Sequence, residues 1–483
     1  MNAFDKVDNS SWFTNRNAHR RLSIEEIVRG SDTGDGPDTG KPWTIIRAKA
    51  EGVTPGITIV DSRGDKYVIK FDPPGFSGSN SGSEVIGTKL FYAAGYNVPE
   101  NYITHFYPRM LRLGDQVKFT DEKGSKRLMT EADLTAILER LEYGDDGLIR
   151  ATASKYISGK ILGPFRYEGT REDDPNDLVP HQHRRELRGL LVMSAWLNHV
   201  DTKAANSMDT YITEDGRSCV KHHLMDFGTI LGSAGNGPQQ KSRGYENNVD
   251  PPALFFRILT LGFYVPDWEC VPDTVEYPCI GRFYARFYDP GKFRPIYPNP
   301  AFDNMTSLDG YWGAKLVMSF TDEQLRAVIA EAQYPDPEAA AYLLKTLIER
   351  RDKTGRYWFD RVNPLDRFEL IHTEDGGQSL HFVDLAVETG LESAEEERYR
   401  YSLTRNGVEV IAPTESGSEI SIPLPDLEEA STRARPDGFP KAQWEVTLQV
   451  KRAEGKWSKW VKVYLREEGT PPQLKLLGLR RQG

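Results

Sequence analysis

The stretch from Trp196 to Ile230, WLNHVDTKAANSMDTYITEDGRSCVKHHLMDFGTI, constrains this chain more than any other. It holds two acidic positions in settings that suit phosphate chemistry. The first comprises His199, Asp201, Lys203 and Asn206, with Asn206 five residues after Asp201. The second is Asp226-Phe227-Gly228, preceded by the apolar pair Leu224-Met225. In-line phosphoryl transfer needs a carboxylate to orient the nucleophile, plus an amide oxygen and a second carboxylate for a divalent metal.

At 483 residues the chain exceeds one ordinary core, so two or three domains are expected. A net charge of −10 argues against a general nucleic-acid or anionic-membrane binder, though not against a local basic cleft. Cys219, Cys270 and Cys279 form no CxxC or zinc pattern, and the His residues are scattered. Cys270 and Cys279 bracket a short loop that a disulfide could close, or are ordinary thiols. No apolar run reaches the ~18 residues of a membrane span, and the first thirty residues are polar. The expectation is a soluble protein, cytoplasmic as written, with export of a form lacking its leader as the alternative.

In chain order, residues 1–40 read as an amino-terminal arm followed by a flexible linker rich in Gly, Asp and Pro. Residues 41–160 read as mostly strands: a hairpin from Trp43, a third strand ending at Lys70, then strands near Tyr102–Tyr107, Gln116–Phe119 and Leu148–Ile157. Gly75–Ser83 reads as a loop before a helix from Glu84 to about Ala94, and Thr130 caps a helix over Glu131–Leu141. Residues 161–365 read as mostly helical, with helices at Arg184–Leu197, Pro251–Leu261, Asp309–Met318, Asp322–Ala332 and Pro337–Arg351, and one short strand, Val220–Met225. Residues 366–483 alternate at period two and carry the hairpin signal Asn406-Gly407, which predicts a small antiparallel sandwich-like domain.

Upstream of the opening stretch lie the groups that would hold a nucleotide. Lys70 ends a strand, where it can reach the α- and β-phosphates, and Glu84 stands fourteen residues on, where it can orient that lysine. The turn containing Gly52, Thr54 and Gly56 is a candidate phosphate lid, although Pro55 removes one backbone donor. Two basic groups could meet an anionic acceptor. One is His181, His183, Arg184, Arg185 and Arg188; the other is Arg282, Arg286, Lys292 and Arg294.

His199, Asp201, Lys203 and Asn206 occupy the relative positions of an HxDxKxxN loop, and Asp226 that of a DFG motif. With Lys70 and Glu84 in order, residues 10–365 resemble the protein-kinase-like superfamily. Val200 stands where protein kinases usually carry Arg, and no APE follows Asp226, so the resemblance is to the atypical HipA-like, CotH-like and secretory-pathway branch. WFTNR, YVIKFDPP and WLNHVDTKAAN are also similar to stretches of bacterial proteins. The resemblance implies an α+β, two-lobed fold with a β-rich amino-terminal lobe and a helical carboxy-terminal lobe, followed here by the β domain. It implies an ATP- and Mg2+- or Mn2+-dependent kinase acting on a hydroxyl acceptor. Asp201 and Lys203 would be catalytic, Lys70 and Glu84 would serve the nucleotide, and Asn206 and Asp226 would hold metal. The alternative is a pseudokinase-like scaffold whose β domain recruits a protein partner.

Overall fold

The computed structural model describes all residues except 1, 50–54, 122–123, 215, 246–250, 375–376, 426–441, 454 and 470–472, and the side chains at 267 and 268. It is a mixed α+β chain that divides into two compact units. One unit, Asn9–Asn304 with Ser319–Arg351, contains all the candidate site residues; the other is Met1–Asp8, Met305–Met318 and Asp352–Gly483.

The site-bearing unit begins with α1 (Ile24–Arg29), started by a capping box between Ser23 and Glu26. Then come β1 (Trp43–Lys49), β2 (Gly56–Val60), β3 (Lys66–Phe71), α2 (Ser79–Ala94), β4 (Asn101–Phe106), β5 (Leu111–Thr120), β6 (Lys126–Leu128), α3 (Glu131–Leu138) and β7 (Ile149–Lys155). The strands form one sheet in the order β4-β7-β3-β2-β1-β5-β6. Only the β1–β5 pair is parallel. Ile45, Ile57, Ile59, Ile69, Phe71 and Phe106 belong to one buried cluster, as period-two alternation requires. The β2–β3 turn closes on the Asp61 carboxylate, which accepts the backbone N–H of Arg63 at 2.9 Å and of Asp65 at 3.0 Å.

Two local expectations are corrected here. The supposed linker is tied down: Asp32 pairs with the buried Lys89, Thr33 bonds Glu100, and Arg63 donates to the Gly36 carbonyl. In addition, α2 begins at Ser79, within the predicted loop, so Glu84 lies inside the helix and does not open it. No side chain at the Gly78 cap satisfies the helix start. Asp72 does so from the end of β3, accepting the N–H groups of Gly78, Asn80 and Ser81 at 2.8–2.9 Å and the Ser81 hydroxyl at 2.7 Å.

Beyond residue 160 the unit is less helical than expected. β8 (Lys160–Gly163), β9 (Ser207–Glu214) and β10 (Arg217–Leu224) form a three-stranded antiparallel sheet, with α4 (Arg185–Leu197) between β8 and β9 in the chain. α5 (Pro251–Leu259) has no buried residue; Phe255 and Ile258 are 61% and 68% exposed. Thr321 and Gln324 form a capping box for the helix Asp322–Ala330, and Pro337–Phe359 forms one long helix whose sequence continues past this unit.

In the other unit a three-stranded and a five-stranded antiparallel sheet contribute to one apolar cluster, among them Leu380, Phe382, Trp444 and Val463. Asp366 accepts from Lys315 at 2.8 Å and pairs with Arg481 at 3.2 Å. Burial works against its charge, but Lys315 and Arg481 hold this carboxyl well below the usual range.

All three cysteines are free, Cys270 exposed and Cys279 buried, so the loop between them is not closed by a disulfide. Among the described residues no helix is long and apolar enough to cross a membrane.

Asp72→Ala removes the acceptor for three N–H groups at a buried helix start, so the site-bearing unit should lose ~2 kcal/mol or more. Denaturant unfolding monitored by far-UV dichroism measures that loss, whereas Asp72→Asn, which keeps one acceptor oxygen, should lose less.

Candidate active site

Lys70 is the fifth residue of β3, paired across the ladder with Gly56 on β2 and Thr152 on β7. Its ammonium lies 2.5 Å from Glu84 Oε1 and 2.8 Å from Asp226 Oδ1, so one cation joins a strand, a helix and the segment after β10. Glu84 is essentially fully buried. Its second oxygen accepts the Phe227 N–H at 3.0 Å and the Asn101 amide at 3.1 Å. Asn101 is fixed in turn through Thr88 and Ser154.

Asp226 adopts a left-handed backbone conformation, φ 65°, which turns its carboxylate towards Lys70 while Phe227 is buried. The Phe227 ring stacks on Phe91 of α2 with centroids 4.8 Å apart. A Cβ on Gly87 would come within 2.6 Å of Phe227 Cβ, so only glycine fits that turn of the helix.

The β9–β10 hairpin brings the other group alongside. Leu224 pairs with Ser207, and the Met225 N–H donates to the Asn206 carbonyl at 3.0 Å, setting Asn206 beside the start of the Asp226 segment. Asn206 Nδ2 donates to the Asp201 carbonyl at 2.9 Å and to Asp201 Oδ2 at 3.1 Å. Lys203 Nζ lies 2.9 Å from Asp201 Oδ1 and 5.1 Å from the centre of the Tyr297 ring. The hairpin is braced by Asp209, which bonds His222 at 2.7 Å and Arg171 at 3.0 Å, and by Trp12, whose ring stacks on His222 at 3.5 Å.

The charges follow from this packing. The Lys70 charge holds the Asp226 carboxyl at about 2. Burial opposes the charge on Lys70, but Asp226 and Glu84 raise it above the ordinary lysine value. Burial pushes the Glu84 carboxyl up, against the pull of Lys70. His199 is buried against Phe91 and Phe227, and burial lowers it to about 4, so near neutral pH it is an uncharged support.

The structure therefore brings together Lys70, Glu84 and Asp226 as one group, and Asp201, Lys203 and Asn206 as another. Gly56 lies in the β2 ladder opposite Lys70, while Gly52 and Thr54 are outside the described residues. Among the described residues no three His, Cys, Asp or Glu side chains form a metal cluster. A kinase-type cation takes much of its shell from phosphate and water. The donors here suit that division: Asp226 is ionised and 47% exposed, and among the described residues the Asn206 side chain bonds through Nδ2.

Residues given no site role from the sequence support the site: Asp72 at the α2 start, Asn101 on Glu84, and Trp12 on His222. Of these, only the Asp before a Gly- and Ser-rich stretch left a local signal. In the basic group around Arg184, two members are engaged within the fold: His181 and Arg184 both bond Asp177 at 2.7 Å, and Arg184 lies over Trp12.

No family model matches this sequence, and no curated relative matches it. Solved structures of the Golgi casein kinase overlap it in part. One shows 8% identity and a TM-score of 0.32, covering 72% of this chain and 81% of that one. Another, with Mn/ADP bound, shows 9% identity and a TM-score of 0.31, covering 71% and 80%.

The share of stability that His199 and His223 supply should fall as pH drops from about 6.5 towards 4, while Asp32 and Glu397, pushed up by burial to about 6 and about 7, act in the opposite sense. His199 and His223, both held near 4 by burial, stay neutral in the folded protein while their unfolded counterparts gain protons. Each histidine accounts for up to roughly 3 kcal/mol across that window, with no contribution above it. Denaturant titrations of the wild type and His223→Gln at pH 7 and pH 5 isolate the histidine share: relative to the wild type, the variant should be less penalised at pH 5.

Proposed function

We propose that this chain is an atypical ATP- and Mg2+- or Mn2+-dependent kinase that transfers the γ-phosphoryl group to a hydroxyl of a protein or small-molecule acceptor. The observation that carries this reading is the Lys70 ammonium held between Glu84 and Asp226, with the Asp201–Lys203–Asn206 group in the loop that leads into the adjoining hairpin. On this reading the first sheet with α2 and the region from α4 onward act as the two lobes of a kinase-like fold. Residues 366–483 form an added sandwich-like β domain for a protein partner.

Each residue has a role that its surroundings allow. Glu84, buried and anchored by Asn101, fixes Lys70 for the α- and β-phosphates. Asp201 accepts the acceptor hydroxyl proton as the new O–P bond forms and the β–γ bridging bond breaks. Lys203, within reach of Asp201, steadies the transferred phosphoryl charge. Asn206 and Asp226 would hold the divalent cation, which when bound offsets negative charge on the phosphates.

Asp226→Ala should abolish Mg-dependent ATP binding. Asp201→Ala should keep binding but lose at least 100-fold in turnover, on the scale of general-base removal. Thermal shift with ATP and Mg, together with phosphate-transfer assays on candidate acceptors, separates the two effects. Wild-type turnover by Asp201→Ala would remove it from the chemistry. Absence of any nucleotide-dependent shift in the wild type, at a concentration where ~2.7 kcal/mol is expected for ligand at 100 times its dissociation constant, would favour the scaffold reading.

A further inference from the structure

A second cleft, open to solvent, lies among segments 239–245, 271 and 282–293, with Asn198 and Arg350 in its wall. Its charge runs against that of the chain. Lys241, Arg243, Arg282 and Arg350 line it with one carboxylate, Asp289, and Asp273 pairs with Lys241 at 2.8 Å, which leaves an excess of positive charge in a protein whose net charge is −10. Arg282 donates to the carbonyls of Gln239 at 2.7 Å, Pro272 at 3.3 Å and Asp273 at 2.5 Å, and it forms no ion pair among the described residues. Arg350 lies 3.9 Å from the centre of the Tyr288 ring and 4.3 Å from that of Phe283, and donates to the carbonyls of Ala195, Trp196 and Tyr284. These carbonyl contacts hold the guanidinium groups in fixed places.

The remaining wall is aromatic, with Tyr284, Phe287 and Tyr288 contributing. Planar guanidinium forks match phosphate oxygens in pairs. A phosphate monoester near neutral pH carries roughly −1.5 to −2 charges, closer to this lining than the single charge of a carboxylate. We propose that the cleft is an anion site for a small phosphate monoester bearing a ring, with the phosphoryl group among Lys241, Arg243 and Arg282 and the ring against the aromatic wall.

The cleft is also joined to the candidate active site. Asn198, directly before His199, donates to Gln239 Oε1 at 2.7 Å, and Gln239 Nε2 donates to the Thr229 carbonyl at 2.7 Å. Gln239, in the cleft wall, thus touches both the residue before His199 and the segment after Asp226. The site does not depend on the kinase reading, because its test uses no nucleotide.

Isothermal titration of the full chain with phenyl phosphate, inorganic phosphate and benzoate at one ionic strength tests the assignment. Phenyl phosphate should bind most tightly and benzoate most weakly. Lys241→Gln/Arg243→Gln should weaken phenyl phosphate about tenfold or more, and Lys70→Met should leave it unchanged. Lys241→Gln alone provides a milder test, because its partner Asp273 is 91% exposed and losing that pair costs little stability. No binding of either phosphate, equal affinity in the folded double variant, or loss of binding in a Lys70→Met variant that dichroism shows to be folded would overturn the proposal. Equal binding of inorganic and phenyl phosphate would remove the ring from it.

Discussion

The candidate active site depends on one buried carboxylate. Glu84 has almost no contact with water, yet its two oxygens meet an ammonium, a side-chain amide and a backbone N–H. An ionised carboxylate in such a place is tolerable only when it is paired and fully hydrogen-bonded. Its partners come from β3, β4 and the segment after β10, so satisfying one charge fixes the relative positions of three elements. Removing any one partner leaves a costly charge behind, which is why the arrangement is cooperative.

The same economy appears at the ends of elements. The α2 start has no capping side chain of its own and borrows Asp72 from the end of β3, so strand and helix are held at a fixed spacing. The β9–β10 hairpin carries Asn206 at one end and leads to Asp226 at the other, so its register sets the separation of two proposed metal donors. His222, paired with Asp209 and covered by Trp12, keeps that register from slipping.

How much of this was legible in the sequence depended on the range of each interaction. The order Lys70, Glu84, Asp201, Asn206, Asp226 could be read directly, because strand, loop and helix signals are local. The α2 boundary was misplaced because Ser79–Ser83 looks like a loop by propensity, and the cap that overrides this, Asp72, stands six to nine residues upstream and outside the usual N-cap position. Residues 31–40 looked free because composition reports backbone preference but not the ion pair from Asp32 to Lys89. β9 was missed although its burial alternates in part, since short strands among helices give few periods to count. Asn101 and Trp12 were illegible for the same reason: each acts on a partner chosen only by the fold.

The contact between Gly87 and Phe227 has a mechanical consequence. A Cβ added at Gly87 would lie 2.6 Å from Phe227 Cβ and 2.9 Å from the first ring carbon, so helix and side chain are in direct contact, with Phe91 stacked on the ring and His199 beside it. A switch of this segment between two settings would need somewhere for the ring to go, and packing this close leaves the helix no slack to provide it. The segment is thus preset: the Asp226 carboxylate is delivered by rigid packing, and any control over the site must act on what enters it or on the loops around it.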